Sequence, residues 1–151
     1  MNATFVIRPA GTADHDQIAE VWHESASLPT VGPATMPTLQ DLRRRVDVEF
    51  NAGWDVAVAA RDGEVIGFVA IKPREAVLDQ LFVRPDTLGA GIGQALLQHA
   101  IQAMPSGFTL YTRSGNFRAR RFYEKAELTF LRDDLHPRNK DPVTHYGWKP
   151  V

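Results

Sequence analysis

Leu81-Phe-Val-Arg-Pro-Asp-Thr-Leu-Gly-Ala-Gly-Ile-Gly-Gln-Ala-Leu-Leu97 begins as an apolar run, halts at Pro85, passes through three alternating glycines and enters a helical pattern. That order predicts a strand, a short loop and a helix whose N-terminus faces the loop. The unpaired N–H groups of the first helical turn and the positive end of the helix dipole make such a loop a cradle for anions, phosphate above all. Glycine at 89, 91 and 93 is expected to let the backbone take positive φ with no Cβ between the loop and its ligand.

Two common glycine loops do not fit. A nucleotide P-loop closes with Gly-Lys-Ser/Thr, whereas Gly93 is followed by Gln94-Ala95, so neither the phosphate lysine nor the magnesium hydroxyl is present. The dinucleotide fingerprint needs G-x-G-x-x-G near the start of a βαβ unit. Here the spacing is G-x-G-x-G, late in the chain and after what reads as a meander of strands.

Working outward, Thr4–Arg8 reads as a first strand, stopped by Pro9. Asp14 and Gln17 have capping-box spacing, followed by Ile18, Val21 and Trp22 at helical intervals. Pro29 to Pro37 is loop; Thr38 caps a second helix carrying Leu39, Leu42, Val46 and Phe50 on one face. Trp54–Ala60 and Glu64–Ile71 are strands joined by the hairpin signal Arg61-Asp62-Gly63, and Val77–Val83 is the next strand. A helix over Ile92–Met104 and a strand over Phe108–Thr112 follow. Asn116 caps a helix turning Ala119, Phe122, Tyr123 and Ala126 inward, with Arg120 and Glu124 paired on its outer side. Thr129–Arg132 and Thr144–Lys149 close the chain. The order β-αα-βββ-α-β-α-ββ predicts an α/β (α+β) fold: a single central mixed sheet with helices on both faces, in one domain over 1–151.

Net charge is −1, with 44% hydrophobic and 23% charged residues, an ordinary globular composition. Arg43-Arg44-Arg45 and Arg118-Ala-Arg-Arg121 lie beside acidic residues and read as solvated helix faces, so no nucleic-acid partner is expected. The absence of cysteine excludes a thiol nucleophile, a disulfide framework and a thiolate metal site, and no metal is expected. The chain shows no leader pattern and no membrane span, so a cytoplasmic protein without membrane contact is expected.

The topology and two motifs resemble the GNAT superfamily of acyl-CoA-dependent N-acetyltransferases over almost the whole chain. Leu81-Phe-Val-Arg-Pro with Leu88-Gly-Ala-Gly-Ile-Gly93 is similar to the family's pyrophosphate loop, Arg/Gln-x-x-Gly-x-Gly/Ala. Asn116-Phe-Arg-Ala-Arg-Arg-Phe-Tyr-Glu-Lys125 is similar to its Asn-x-x-Ala-x-x-Phe-Tyr-Glu-Lys helix. Leu88 replaces the usual arginine or glutamine, which puts more weight on main-chain donors. Lys125-Ala-Glu-Leu128 replaces Lys-x-Gly-Phe at the helix end.

The resemblance implies acetyl-CoA as cosubstrate, with backbone donors from Gly89, Ala90, Gly91, Ile92, Gly93 and Gln94 on its pyrophosphate. It implies that Leu81, Phe82 and Val83 leave main-chain groups for the pantetheine, with an N–H near Phe82 polarising the thioester. Asn116 either contacts the cofactor or simply caps its helix. Tyr123 would bind beside the sulfur and protonate the departing thiolate. The base is not fixed by the motifs. Asp79 is the first candidate, since alternation would point it to the same face as Leu81 and Val83; Glu75 is second, His23 and Glu24 third, and each serves a structural hydrogen bond equally well. Tyr146 is read as a core aromatic. Acceptor recognition is expected in 22–38 and 133–142, where Asp133, Asp134 and Asp141 would attract a cationic amine but are offset by Arg138 and Lys140, a balance that favours no particular substrate. The expected activity is transfer of acetyl to a small-molecule or peptide primary amine by direct attack in a ternary complex. A non-catalytic acyl-CoA-binding module and transfer of another acyl group are the alternatives. A homodimer is compatible with the resemblance, with no interface specified.

Overall fold

The structure is a computed structural model and describes residues 4–151. Seven strands form one sheet: β1 (Val6–Pro9), β2 (Asp55–Arg61), β3 (Glu64–Lys72), β4 (Val77–Val83), β5 (Phe108–Arg113), β6 (Thr129–Leu135) and β7 (Pro142–Trp148). Their spatial order is β1-β2-β3-β4-β5-β7-β6. Every neighbouring pair is antiparallel except β4–β5, which is parallel. Helices α1 (His15–Ala26), α2 (Leu39–Asn51), α3 (Ile92–Ala103) and α4 (Phe117–Lys125) complete the expected order, with short 3-10 turns at Thr12–Asp14 and Pro85–Thr87. Among the described residues no helix is long and apolar enough to cross a membrane.

Alternation along β2 and β3 divides their buried side chains between two cores. Ile18, Val21, Trp22, Leu42 and Val46 of α1 and α2 pack with Trp54, Val58 and Phe68 on one face. Ile92, Leu96, Leu97 and Ala100 of α3 pack with Ile71, Leu78, Leu110, Tyr123 and Tyr146 on the other. Burying both faces is what lets β2 and β3 carry nearly unbroken apolar runs. The turn between them is the predicted two-residue hairpin, with Asp62 and Gly63 both at positive φ (52° and 81°). At Gly67 on β3 a Cβ would lie 3.1 Å from Leu96 and from the Phe82 carbonyl, so a hydrogen there lets α3 settle close to the sheet.

Several local expectations are corrected. Asp14 and Gln17 do not form a capping box. Asp14 instead accepts both Arg8 guanidinium nitrogens (2.7 and 2.9 Å) and the Gly11 N–H, while Gln17 accepts the Val65 N–H at 2.8 Å. Leu39 faces outward, because Thr38 and Asp41 cap α2 reciprocally one step before its apolar face begins. Arg120 and Glu124 do not pair with each other. Both turn to the hydroxyl of Tyr146, which donates to Glu124 at 2.6 Å and accepts from Arg120 at 3.2 Å. Tyr146 is fully buried, and this pair of contacts satisfies its phenol. The α4 terminus is a Schellman motif: Leu128 N–H reaches Tyr123 O and Glu127 N–H reaches Glu124 O, both at 3.0 Å, with Glu127 left-handed at φ 68°. The glycine of the resembling motif is thus replaced by a residue that takes glycine's conformation.

Candidate active site

The site begins where the sheet comes apart. β4 and β5 share one pair, Val77 opposite Thr109, next to a 3.0 Å bond from Thr109 N–H to Ala76 O. Beyond it they diverge, and β4 keeps a partner only on its β3 side. The Arg84 N–H bonds Ile66 O at 2.8 Å, which sets the phase of the antiparallel ladder. Phe82–Phe68 and Gln80–Ala70 are then the bonded pairs, and Leu81–Val69 and Val83–Gly67 fall between them. Leu81 and Val83 therefore direct their N–H and C=O groups into the gap. Val83 O is taken by the Ser25 hydroxyl at 2.9 Å; the two N–H groups remain available. The free donor expected near Phe82 belongs to its neighbours, because Phe82's own N–H is spent on β3.

A bulge decides where Asp79 points. Ala70 pairs Gln80 and Ile71 pairs Leu78, so Asp79 is an extra residue on β4. Strict alternation predicted the face of Leu81 and Val83. The bulge breaks that phase and turns Asp79 to the α1/α2 side, where its Oδ2 accepts the Trp54 indole N–H at 2.7 Å. Oδ1 has no protein donor among the described residues. Asp79, Gln80, Leu81 and Phe82 all line a cleft of about 340 Å³ that follows the gap between the strands.

From the opposite face α4 contributes Tyr123, which lines the same cleft. It is almost fully buried, and its hydroxyl makes no hydrogen bond among the described residues. Burial pushes its phenol pKa strongly upward, since the phenolate would sit unpaired among apolar groups. Tyr123 is therefore a phenol with its proton in place and no structural partner. Asn116 also lines the cleft, and its Oδ1 accepts the Ala119 N–H at 3.2 Å, so it caps α4.

The glycine loop lies at the end of β4. Gly93 packs against Phe122 of α4 and Val83 of β4: a Cβ there would touch the Phe122 ring at 3.4 Å and Val83 at 3.9 Å. Gly89 and Gly91 have φ of 89° and 80°, and a Cβ on either would meet open space. Thr87 N–H bonds Arg84 O and Ala95 N–H bonds Gly91 O; between them no main-chain N–H donates to another described main-chain group. No side chain caps α3 and no acidic residue stands in its first turn. The N–H groups of Gly89, Ala90, Gly91, Ile92, Gly93 and Gln94 and the helix dipole are thus left for an external anion. Leu88 is exposed beside them.

The remaining candidates separate. Glu75 stands exposed in the β3–β4 turn. His23 and Glu24 do not line the cleft, and Glu24 lies 4.0 Å from Arg84. Asp141 is held by Arg113 at 2.8 Å, and Asp133 accepts the Thr144 hydroxyl at 2.7 Å on the far side of β7. His136 and Arg138 line the cleft within the expected 133–142 segment, whereas Arg45 of α2 and Tyr111 of β5, which also line it, carried no sequence signal. His136 Nδ1 accepts the Arg138 and Asn139 N–H groups at 3.1 and 3.4 Å. A neutral His136 therefore offers its other nitrogen as a donor rather than a base. Tyr111 is half exposed, and partial burial of its ring, then the Asp79 charge, push its phenol pKa upward. Asp79 is the carboxylate this cleft offers. Among the described residues no cluster of three or more His, Asp or Glu is arranged for a metal.

Residues 18–127 match the family model described as the Acetyltransferase (GNAT) family. Escherichia coli peptidyl-lysine N-acetyltransferase YjaB is 30% identical over 121 residues, covering 79% of this chain and 78% of that protein. An uncharacterized N-acetyltransferase of Archaeoglobus fulgidus is 38% identical over 86 residues, 48% of this chain and 58% of that one. The Salmonella typhimurium YjaB match spans only 46% of that relative's length. Among solved structures, a putative GNAT acetyltransferase from Desulfovibrio desulfuricans superposes with a TM-score of 0.79 at 20% identity, covering 97% of this chain and 99% of that one. Salmonella typhimurium yncA, solved with its cofactor acetyl-CoA, gives 0.73 at 18% identity, with 98% and 94% covered. At these identities the structural likeness is one of fold; with the family match and the E. coli relative, it follows that this chain belongs to the GNAT acetyltransferase family.

Proposed function

We propose that the chain works as one N-acetyltransferase domain, moving an acetyl group from acetyl-CoA to a primary amine by direct attack while both are bound. The observation that carries this reading is the gap between β4 and β5, which opens to both faces of the sheet. Tyr123 and the glycine loop stand on the α3/α4 side, and Asp79 on the α1/α2 side. A thioester entering from one face would meet an amine entering from the other.

In this reading the N–H groups of residues 89–94 hold the pyrophosphate. The N–H of Leu81 or Val83 bonds the thioester oxygen as it gains charge, a contribution of roughly 3 kcal/mol to the barrier. The ammonium gives one proton to Asp79, which lines the cleft, and the freed amine nitrogen bonds the carbonyl carbon; the adduct's second N–H proton passes to the departing sulfur or to water. The carbon–sulfur bond breaks with its electron pair going to sulfur, and the Tyr123 hydroxyl hydrogen-bonds the leaving thiolate while keeping its own proton. Full transfer from a phenol to a thiolate is uphill by roughly 1.5 units even unperturbed, and burial of Tyr123 widens that gap. Its contribution is thus a fixed hydrogen bond at the sulfur. Alignment of the two reactants supplies much of the remainder.

Thiol release measured across a grid of acetyl-CoA and amine concentrations tests the proposal. Intersecting double-reciprocal lines support the ternary complex; parallel lines, or no release with any amine, overturn it.

A further inference from the structure

Of the balanced charges that the sequence places over 133–142, only Arg138 lines the acceptor half of the cleft. The acids expected to attract a cationic amine are engaged elsewhere: Asp141 with Arg113, Asp133 with Thr144, and Asp134 with the Leu135 N–H at 2.8 Å. None of them lines this cleft. Three guanidinium groups do: Arg113, which is paired with Asp141, and Arg45 and Arg138. Arg45 leans over the Trp22 ring, its Cζ 5.0 Å from the ring centre, and Trp22 is itself a cleft wall. Arg45 stays solvent-exposed, and the stacking tethers its charge to a wall of the cleft. Arg138 projects from the β6–β7 loop on the other side. Among the described residues neither side chain has a carboxylate partner. The phenol of Tyr111 lines the same cleft.

Arg113 being neutralised by Asp141, the free charges along this half are two positive and one negative. A molecule with one cation and one anion balances them: its amine toward Asp79, its anion toward the arginines. A planar carboxylate suits guanidinium donors and carries a single charge. We propose that the acceptor is an amino acid-like amine, its own carboxylate seated on Arg45 and Arg138 and its nitrogen turned to Asp79. This rests on the acetyl-transfer reading and adds the class of acceptor.

The test pairs each acid with its amide: L-α-amino acids, β-alanine, γ-aminobutyrate and ε-aminocaproate against the corresponding carboxamides, with phosphoethanolamine as a further arm. Thiol release from acetyl-CoA gives kcat/KM for each. At least one acid is expected to exceed its amide by about 10-fold or more, the size of a hydrogen-bonded charge contact. In the Arg45→Gln/Arg138→Gln double variant, shown to be folded by its melting curve, that acid-to-amide ratio is expected to collapse toward one. The inference is overturned if every amide matches its acid, if the ratio survives both substitutions, if phosphoethanolamine is preferred over all carboxylates, or if acetyl-CoA binds by calorimetry while no acid is acetylated. Failure of acetyl-CoA itself to bind removes the underlying reading, and this inference with it.

Discussion

Trp54 donates its indole N–H to Asp79 across 2.7 Å, and Asp79 is the bulged residue that turns β4's side chains out of phase. One oxygen of the carboxylate is fixed, the other has no protein donor among the described residues, and the residue lines the cleft. Asp79→Asn retains an acceptor for Trp54 but cannot take a proton. It is expected to lower kcat by about 100-fold or more with little change in melting temperature. An unchanged kcat would reduce Asp79 to a structural hydrogen-bond acceptor.

Tyr123→Phe removes a hydroxyl with no protein partner, so melting temperature should hold or rise while kcat falls by about 100-fold or more. Its pH linkage has a definite sign. Burial raises the folded-state phenol pKa above the ordinary value of about 10, so the unfolded chain loses this proton first. Tyr123's share of stability is complete below about pH 10 and is lost as pH climbs beyond it. Urea midpoints for the Phe variant should therefore fall less between pH 9 and 11 than those of the parent (both pH values being roughly either side of that ordinary pKa).

Gly91 initiates α3 at φ 80° with open space beyond its Cα. Gly91→Val meets no clash but forces a β-branched residue into a left-handed conformation, at a cost of about 1–2 kcal/mol. If it relaxes instead, the N–H groups reorient. Acetyl-CoA affinity by calorimetry should drop by about 10-fold or more, whereas the same change at the unconnected hairpin residue Gly63 should affect stability alone.

Glu127 occupies the left-handed position of the α4 Schellman motif at φ 68°. Glu127→Gly should therefore stabilise the protein by about 0.5–1 kcal/mol, the relief of left-handed strain less glycine's added chain entropy. Denaturant titration reads this directly; a destabilised variant would show that the Glu127 side chain contributes more than its backbone costs.

Local signals predicted much of this molecule. Asp62-Gly63 specifies a hairpin from adjacent residues, and the 89–93 glycines with Ile92 onward specify a loop and helix within a few residues. The bulge at Asp79 left no comparable mark, because it is a property of pairing with Ala70 and Ile71 across a turn, and alternation on one strand cannot register it. The phenol partners of Tyr146 were hidden likewise: Arg120 and Glu124 have ideal spacing for each other, but a buried hydroxyl competes for both. Arg45 read as part of a solvated basic run. Its place over Trp22 depends on how α1 and α2 pack, and Arg138 reaches the same cleft from a loop nearly a hundred residues later in the chain. Charge complementarity built from distant elements is a tertiary fact.

Amide chemical shifts during an acetyl-CoA titration address the central claim most directly. The account predicts saturable shifts at the backbone N–H groups of Leu81, Val83 and residues 89–94, the donors left free by the diverging strands and the uncapped helix. Saturable shifts confined to other residues, or none at millimolar ligand, would contradict it.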